Sequence, residues 1–210
     1  MFTRTLSVNT AAALATLGKS KICGGAYLAG GTALALHLGH RISIDLDFFR
    51  EGEFYSNEIV AGLSRLGKYV PSQQTEKTVN GEFNSVKFSY FYYPYKNIAQ
   101  TVKLEGIEIA NMKDIAAMKL VAITDRGTKK DYIDLYFLAQ KYSFEEMFLF
   151  YEEKYHLLNQ NQITILKSLT YFFDADESEM PVMINKIKWE DVKDYFIKET
   201  KNLSKKILEL

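Results

Sequence analysis

The sequence is poor in the residues that cross-link or interrupt a chain, with one cysteine and three prolines among 210 residues. A single cysteine, Cys23, excludes an internal disulfide, and so few prolines argue against long disordered linkers. No apolar run approaches the roughly 20 residues of a membrane span, and the first residues fit an amphipathic helix better than a signal peptide. We therefore expect a globular, cytoplasmic protein with no membrane partner.

Neither sign of charge is in excess, because 26 Lys and Arg residues balance 26 Asp and Glu residues. This balance argues against a broad surface that coats nucleic acid, although a local basic patch remains compatible with it. Hydrophobic residues make up 47% of the chain, as in ordinary globular proteins. The length allows one large domain or two small ones.

The sequence pattern changes near residue 110. Strand-like segments lie at 26–29, 42–49, 77–79, 84–93 and 102–109, and helical segments at 8–18, 33–38 and 58–68. Beyond this point only helical segments follow, the last of them over 189–208. We predict an α/β domain over residues 1–110 and a helical domain over residues 111–210.

Two aspartates interrupt the apolar segment Ile42–Phe49. In an extended strand alternate residues face the same side, so Asp45 and Asp47 project together, roughly 6.5–7 Å apart along the backbone. Ionised carboxylates this close repel each other unless a cation lies between them, and Mg²⁺ or Mn²⁺ prefers such oxygen ligands. From this segment alone, a metal site and the plain solvent face of an edge strand are equally good interpretations.

A glycine turn precedes this segment and favours the metal interpretation. Gly30 and Gly31 lie between a predicted strand and a predicted helix. Bare backbone and a helix N-terminus can approach phosphate oxygens there, and Thr32 adds a hydroxyl donor. Phosphate binding beside metal binding by Asp45 and Asp47 predicts a site for a nucleoside triphosphate (NTP).

Arg41 and Ser43 lie on the approach to the same carboxylates. Arg41 either contacts phosphate or forms a salt bridge with Asp45. Ser43 would share the carboxylate face and hydrogen-bond a ligand carboxylate or the substrate. We include both among the nucleotide-binding candidates. His37 and His40 fit helix-end positions better than metal coordination, because a hard cation prefers oxygen.

The segment YLAGGTALALHLGHRISIDLDFF, residues 27–49, closely resembles the first motif of the AbiEii/AbiGii toxin-type nucleotidyltransferases. In this resemblance Gly31-Thr32 stands at a Gly-Ser turn, and Asp45 and Asp47 stand at the carboxylates. The segment DIAAMKLVAITDRGTKKDYIDLYFL, residues 114–138, resembles a second motif. It supplies the family's lysine, arginine and basic-Asp-x-x-Asp-Leu cluster as Lys119, Arg126, Lys130, Asp131, Asp134 and Leu135.

The resemblance implies an α+β fold, in which a polymerase β-like nucleotidyltransferase mixed sheet with flanking helices precedes a helical bundle that completes the active-site cleft. It implies Mg-dependent transfer of a nucleoside monophosphate from an NTP to an acceptor hydroxyl, by a toxin of a toxin–antitoxin or phage-defence pair. The implied acceptor is a tRNA 3′ end, with a protein side chain as the alternative. A cognate antitoxin is the implied partner.

The second motif concentrates charge. Lys119 interrupts an apolar run and needs either water or an anionic partner such as a triphosphate. Arg126 and Lys130 would bind the triphosphate or an RNA backbone, or else form a solvated turn. Asp131 is either a helix-capping residue or a polar partner or base, and Asp134 is partly structural. We predict catalytic roles for Lys119 and Asp131.

A third carboxylate, which many polymerase β-like enzymes carry on a later strand, is missing from the predicted strand SVKFSYFYY, residues 85–93. Either Glu105 or Glu108 replaces it, or Asp45 and Asp47 hold the metal alone. The missing acid favours a rival function, in which a catalytically inactive nucleotidyltransferase fold binds protein or RNA. The intact motif residues favour the enzyme.

Two further patterns have ordinary interpretations. The six aromatic residues of Phe88–Tyr95 fit a sheet that packs against helices, with base stacking as the alternative. The stretch at residues 186–210 has seven lysines against five acids and fits a solvated helix face. It is also the best local candidate for an RNA contact.

Overall fold

The computed structural model describes residues 1–207, without the side chain of Ile207. The chain forms two compact units, unit 1 over Met1–Asn111 and unit 2 from Met112 onward. Within the described residues, unit 1 holds a seven-stranded mixed sheet and unit 2 is helical. The predicted α+β fold class is confirmed.

The sheet of unit 1 has the strand order β3-β4-β5-β2-β1-β7-β6. Its strands are β1 (Tyr27–Leu28), β2 (Leu46–Arg50), β3 (Tyr69–Gln74), β4 (Thr78–Phe83), β5 (Val86–Tyr92), β6 (Val102–Leu104) and β7 (Ile107–Ile109). The pairs β2–β5 and β1–β7 are parallel, and the other neighbouring pairs are antiparallel. The helices of unit 1 are α1 (Val8–Lys19), α2 (Gly30–Leu38) and α3 (Ser56–Leu66), and a 3-10 turn lies at Thr3–Thr5.

Strand β2 lies inside the sheet and separates its side chains by alternation. Leu46 and Phe48 are fully buried, whereas Asp47 and Phe49 are partly exposed on the other face. The buried row continues on both sides, because Leu28 pairs with Phe48 and Phe88 pairs with Leu46. One face of the sheet is therefore core, and the face that carries Asp47 is more open.

The strand prediction over residues 42–49 is only half right. The strand begins at Leu46, and before it Ser43 forms an isolated bridge with Leu6. The backbone N–H of Ser43 donates to the Thr5 carbonyl (2.9 Å), so this segment follows the N-terminal turn and not the sheet. The expected alternation fails there: Ile44 is 55% exposed and Ser43 is buried.

Unit 2 begins with four helices of 11 to 14 residues, α4 (Met112–Asp125), α5 (Lys129–Ala139), α6 (Phe144–Tyr155) and α7 (Leu158–Ser168). The short α8 (Phe173–Glu177) and the long α9 (Trp189–Ile207) follow. Helices α5 and α6 begin with capping boxes, Thr128 with Asp131 and Ser143 with Glu146, so Asp131 has the helix-capping position that was one of its two interpretations.

The predicted end of the last helix, residue 208, and the last residues of the lysine-rich stretch lie outside the described residues. Across residues 1–207, no helix is both long and apolar enough to cross a membrane.

A buried ion pair joins α4 to α6 in unit 2. Lys154 Nζ lies 2.7 Å from Asp114 Oδ1, and both side chains are 0% exposed. Neither side chain has access to water, so each charge depends on the other. Removing one partner would leave an uncompensated charge in the interior, which is strongly unfavourable.

Candidate active site

The glycine corner lies directly against the carboxylate strand. Gly30 has a backbone φ of +65°, a conformation that glycine adopts readily. A Cβ atom at this position would lie 3.5 Å from Asp47 Oδ2. The backbone N–H of Ala29 also donates to the Asp47 carbonyl (3.0 Å). The predicted phosphate and metal elements are thus neighbours in unit 1.

The start of α2 is suited to an anion. Its N-cap residue is Ala29, which makes no side-chain capping hydrogen bond. The first backbone N–H groups of a helix have no partner within the helix, and the helix dipole adds partial positive charge. Gly30 and Gly31 leave this end without bulky side chains.

Thr32 has a different position from the one predicted. Its side chain is 1% exposed, and its hydroxyl donates to the Asp45 carbonyl and shares a hydrogen bond with Ser43 Oγ (2.8 Å). The hydroxyl is therefore committed inside the protein and cannot serve a phosphate in this conformation. We revise its role to that of a positioning residue for the Asp45 segment.

Arg41 and Ser43 belong to the same hydrogen-bond network as Thr32. Arg41 is buried, and its Nη1 donates to the Ile42 carbonyl (3.1 Å) and to Ser43 Oγ (3.3 Å). Because Ser43 is also buried, the expectation that it shares the open carboxylate face is wrong. Both residues fix the chain that leads into Asp45, and their predicted contacts with a nucleotide stay a prediction.

Replacing Thr32 by valine is expected to destabilise unit 1 by about 1–3 kcal/mol, because the Asp45 carbonyl and the buried Ser43 hydroxyl lose their partner. The matched control is Thr16→Val on α1, whose hydroxyl donates to a carbonyl within its own exposed helix face. Urea unfolding followed by circular dichroism measures both variants. Equal effects of the two substitutions would show that Thr32 does not position the Asp45 segment.

The position beside Asp47 on the next strand is occupied by serine. In the parallel pairing of β2 with β5, Asp47 lies opposite Ser89, which is 4% exposed. The candidate replacements for a third carboxylate are elsewhere: Glu105 lies in the turn between β6 and β7, and Glu108 lies on β7. Strand β1 separates β7 from β2.

Glu108 is already engaged at the β6–β7 hairpin. It accepts a hydrogen bond from Thr101 Oγ1 (2.5 Å) and pairs with Lys103 (3.2 Å). The Thr101 hydrogen bond, followed by the Lys103 interaction, holds the pKa of Glu108 below its usual value against a smaller opposing effect of burial. Within residues 1–207, no group of three or more His, Cys, Asp or Glu side chains could hold a metal ion.

Asp45 and Asp47 nonetheless fit a hard cation. Both are partly exposed carboxylates on either side of the buried Leu46, and Asp47 borders the bare backbone of Gly30. Mg²⁺ binds oxygen and keeps several of its waters, so one or two protein carboxylates are a common ligand set.

Unit 2 contains the residues of the second motif. Lys119 is buried, and its Nζ contacts Asp131 Oδ1 (2.9 Å) and Asp134 Oδ2 (2.5 Å). Lys119 therefore does not extend to water. Its anionic partners are two carboxylates of α5. Asp134, assigned a partly structural role, belongs to the same network.

Asp131 is the centre of this network. Its two oxygens accept hydrogen bonds from Lys119, from Arg126 Nε (2.9 Å) and Nη2 (3.1 Å), and from the Thr128 hydroxyl (2.6 Å). Burial is the largest single influence on its pKa and raises it, but Lys119, Arg126 and Thr128 together hold the pKa far below the usual value. A carboxylate so acidic and so fully bonded is a poor base, which favours the polar-partner role.

Arg126 and Lys130 are the two solvent-exposed basic residues of this motif. The Arg126 side chain is 66% exposed even though it also contacts Asp131, and Lys130 is exposed. The neighbouring Lys129 is partly buried: its Nζ donates to the Ser178 carbonyl (2.7 Å) and lies 5.6 Å from the centre of the Trp189 ring.

The aromatic run is divided between the two faces of the sheet. Phe88 and Tyr90 are fully buried, whereas Phe91 is partly exposed and its ring lies 5.4 Å from that of Phe49. Tyr27 extends this row on β1, with its ring 6.1 Å from that of Phe49. Phe88 and Tyr90 therefore belong to the core, and the row of Tyr27, Phe49 and Phe91 lies on the face of Asp47.

Comparisons with known proteins agree with this architecture. The family model "Nucleotidyl transferase AbiEii toxin, Type IV TA system" matches residues 12–110 and 105–203. An uncharacterised protein of Aquifex aeolicus is 39% identical over 186 residues, which cover 86% of this chain and 88% of the relative. The mixed sheet with a carboxylate strand beside a glycine corner is thus a nucleotidyltransferase fold.

Two solved structures share the fold. JHP933 from Helicobacter pylori is 20% identical, with a TM-score of 0.59 over 97% of this chain and 95% of that one. MenT4, a nucleotidyltransferase toxin from Mycobacterium tuberculosis, is 12% identical, with a TM-score of 0.56 over 93% and 86% of the two chains. The chain belongs to the AbiEii nucleotidyltransferase toxin family.

Proposed function

We propose that this protein transfers a nucleoside monophosphate from an NTP to an acceptor hydroxyl in a reaction that depends on Mg²⁺ or Mn²⁺. The observation that carries the proposal is the short distance between the Gly30 corner and the Asp47 carboxylate, which a Cβ atom at Gly30 would meet at 3.5 Å. A helix start that can bind an anion, next to Asp47 and with Asp45 two residues before it in the chain, suits a polyphosphate with its cation.

In this reaction the acceptor oxygen forms a bond to the α-phosphorus while the bond from that phosphorus to the bridging oxygen breaks. Pyrophosphate leaves with the electron pair of that bond, and the proton of the acceptor passes to solvent. The backbone at Gly30 and Gly31 would seat the β- and γ-phosphates. Asp45 and Asp47 would hold the divalent cation, which when bound neutralises phosphate charge and makes the acceptor more acidic.

Lys119, Arg126 and Lys130 stay candidates for stabilising phosphate charge or for binding an RNA backbone. Of these, Arg126 and Lys130 have the exposure that such a contact needs. For Lys119 the role that agrees with its surroundings is to hold Asp131 and Asp134, and through them the start of α5.

The acceptor that we propose is a tRNA 3′ end, with a protein hydroxyl as the alternative. Membership of a toxin family supports a macromolecular acceptor in the cell. A cognate antitoxin and a cytoplasmic location are part of the same proposal.

Incubating the protein with each of the four α-labelled NTPs, with Mg²⁺, Mn²⁺ or EDTA, and with total cellular RNA or total cellular protein tests this function. We expect label on RNA that is lost with EDTA. Label on protein alone would replace the tRNA proposal by protein nucleotidylation. Transfer that continues undiminished in EDTA would overturn the metal assignment.

A second candidate function is that of an inactive fold that binds protein or RNA. Ser89, in the strand position next to Asp47 where a third carboxylate would be expected, favours it. Metal-dependent NTP binding, measured by calorimetry, separates the two candidates: an inactive binding module shows none, whereas the enzyme binds NTP more tightly with Mg²⁺ than with EDTA.

A further inference from the structure

A row of polar side chains crosses the sheet at the level of Asp47. The strand registers pair Asp47 on β2 with Ser89 on β5, and Ser89 with Asn80 on β4. Side chains of paired residues on neighbouring strands point to the same face, and neighbouring strands lie about 4.8 Å apart. Ser89 and Asn80 therefore share the face of Asp47, one and two strands away from it.

This row contains hydrogen-bonding capacity that the described part of the chain does not use. Ser89 is 4% exposed, and none of residues 1–207 hydrogen-bonds its hydroxyl. The Asn80 amide nitrogen donates to Gln73 Oε1 (3.0 Å), but its oxygen, Oδ1, is enclosed and has no hydrogen-bond partner in residues 1–207. Nearly buried polar groups without partners are uncommon, because each costs free energy, and they are typical of places that receive a ligand.

The residues on either side along β5 show that the position is distinctive. Lys87 is exposed and Phe91 is partly exposed, and both lie on the same face as Ser89 by alternation. Ser89 is thus a small neutral group between a charged and an aromatic side chain. Its side chain is short, and its hydroxyl offers both a donor and an acceptor next to Asp47.

The sheet order places Gly30 and Ser89 on opposite sides of β2, the strand of Asp47. Gly30 follows β1, on one side of β2, whereas Ser89 lies on β5, on the other side. In phosphoryl transfer the attacking and the leaving oxygen lie roughly in line, on opposite sides of the phosphorus. If the leaving pyrophosphate lies at the Gly30 corner, the attacking oxygen enters from the side of Ser89.

We propose that Ser89 binds the attacking hydroxyl of the acceptor and holds it in line with the α-phosphorus. This inference rests on the proposed function. Being neutral, Ser89 orients the acceptor and does not remove its proton, which passes to solvent. The ligand class is a hydroxyl, either of a ribose at an RNA end or of a protein side chain.

The test compares Ser89→Ala, Ser89→Cys and Ser89→Thr with Ser64→Ala, which removes an exposed serine on α3. Two quantities are measured: transfer of labelled nucleotide to total cellular RNA, and the Kd for Mg-NTP. We expect Ser89→Ala and Ser89→Cys to lower transfer by about 5- to 20-fold, the effect of one hydrogen bond in the transition state. Ser89→Thr, which keeps the hydroxyl, should retain transfer within about threefold of the wild type.

The Kd for Mg-NTP should stay unchanged in all four variants, because NTP binding does not involve the acceptor. A parallel loss of NTP binding in Ser89→Ala would show a structural or nucleotide-binding role and overturn the inference. Unchanged transfer in both Ser89→Ala and Ser89→Cys would also overturn it. Absence of transfer by the wild-type protein to both RNA and protein would instead refute the proposed function itself.

Discussion

Replacing Asp47 by asparagine is expected to lower nucleotide transfer by about 10³-fold. The substitution keeps the size of the side chain and removes the negative charge that would hold the cation. Asp47 is the carboxylate that borders the Gly30 corner, so the loss falls where polyphosphate and cation would meet. Asp45→Asn should have an effect of similar size, since two carboxylates alone would hold the ion.

The measurement is the initial rate with labelled NTP at saturating acceptor, together with the Kd for Mn²⁺ from electron paramagnetic resonance. Glu51→Gln is the matched control, because it removes an exposed carboxylate just beyond the end of β2. Weaker Mn²⁺ binding in both aspartate variants and not in the control would support the assignment. An Asp47→Asn protein that keeps more than about a tenth of the wild-type rate would remove Asp47 from the reaction.

Replacing Lys154 by methionine is expected to destabilise unit 2 by about 3–5 kcal/mol. Methionine fills the space of the lysine stem but leaves Asp114 as a charge in a site that is 0% exposed. The double variant Asp114→Leu, Lys154→Met removes both charges and should recover most of the lost stability, because an apolar pair needs no compensation there.

The single tryptophan of the chain, Trp189, lies on α9 in unit 2, so its fluorescence during urea unfolding reports on this unit. Lys141→Met, which replaces an exposed lysine, is the control. A double variant less stable than Lys154→Met would show that the ion pair itself, and not the charge that remains on Asp114, determines the stability.

Much of unit 1 follows from the sequence. The Gly30-Gly31 turn and the alternation of Leu46, Asp47 and Phe48 are local patterns, and the structure has both of them. Strand β3 was not predicted. It is an edge strand with mostly exposed residues and with Pro71 in it, so it carries neither a buried face nor the period of two on which strand prediction depends.

Other parts of the site depend on contacts between distant residues. Thr32 was assigned to phosphate because a hydroxyl next to a glycine turn is a usual donor, but its partners are Asp45 and Ser43. Similarly, the apolar run around Lys119 does not reveal that its anions come from the next helix. In the sequence Ser89 stands out only as a small polar residue in an aromatic strand. Only the pairing of β5 with β2 shows that it lies beside Asp47.

The interior location of β2 also fixes the face of the sheet on which Asp47 lies. A slip of this strand by one residue against β1 and β5 would turn Leu46 and Phe48 outward and force Asp47 into the core. Each exposed apolar side chain would cost about 1.5–3 kcal/mol, and the ionised carboxylate would cost more. A chain that folds in this register therefore keeps Asp47 on the open face of the sheet, and a chain in the shifted register would be much less stable.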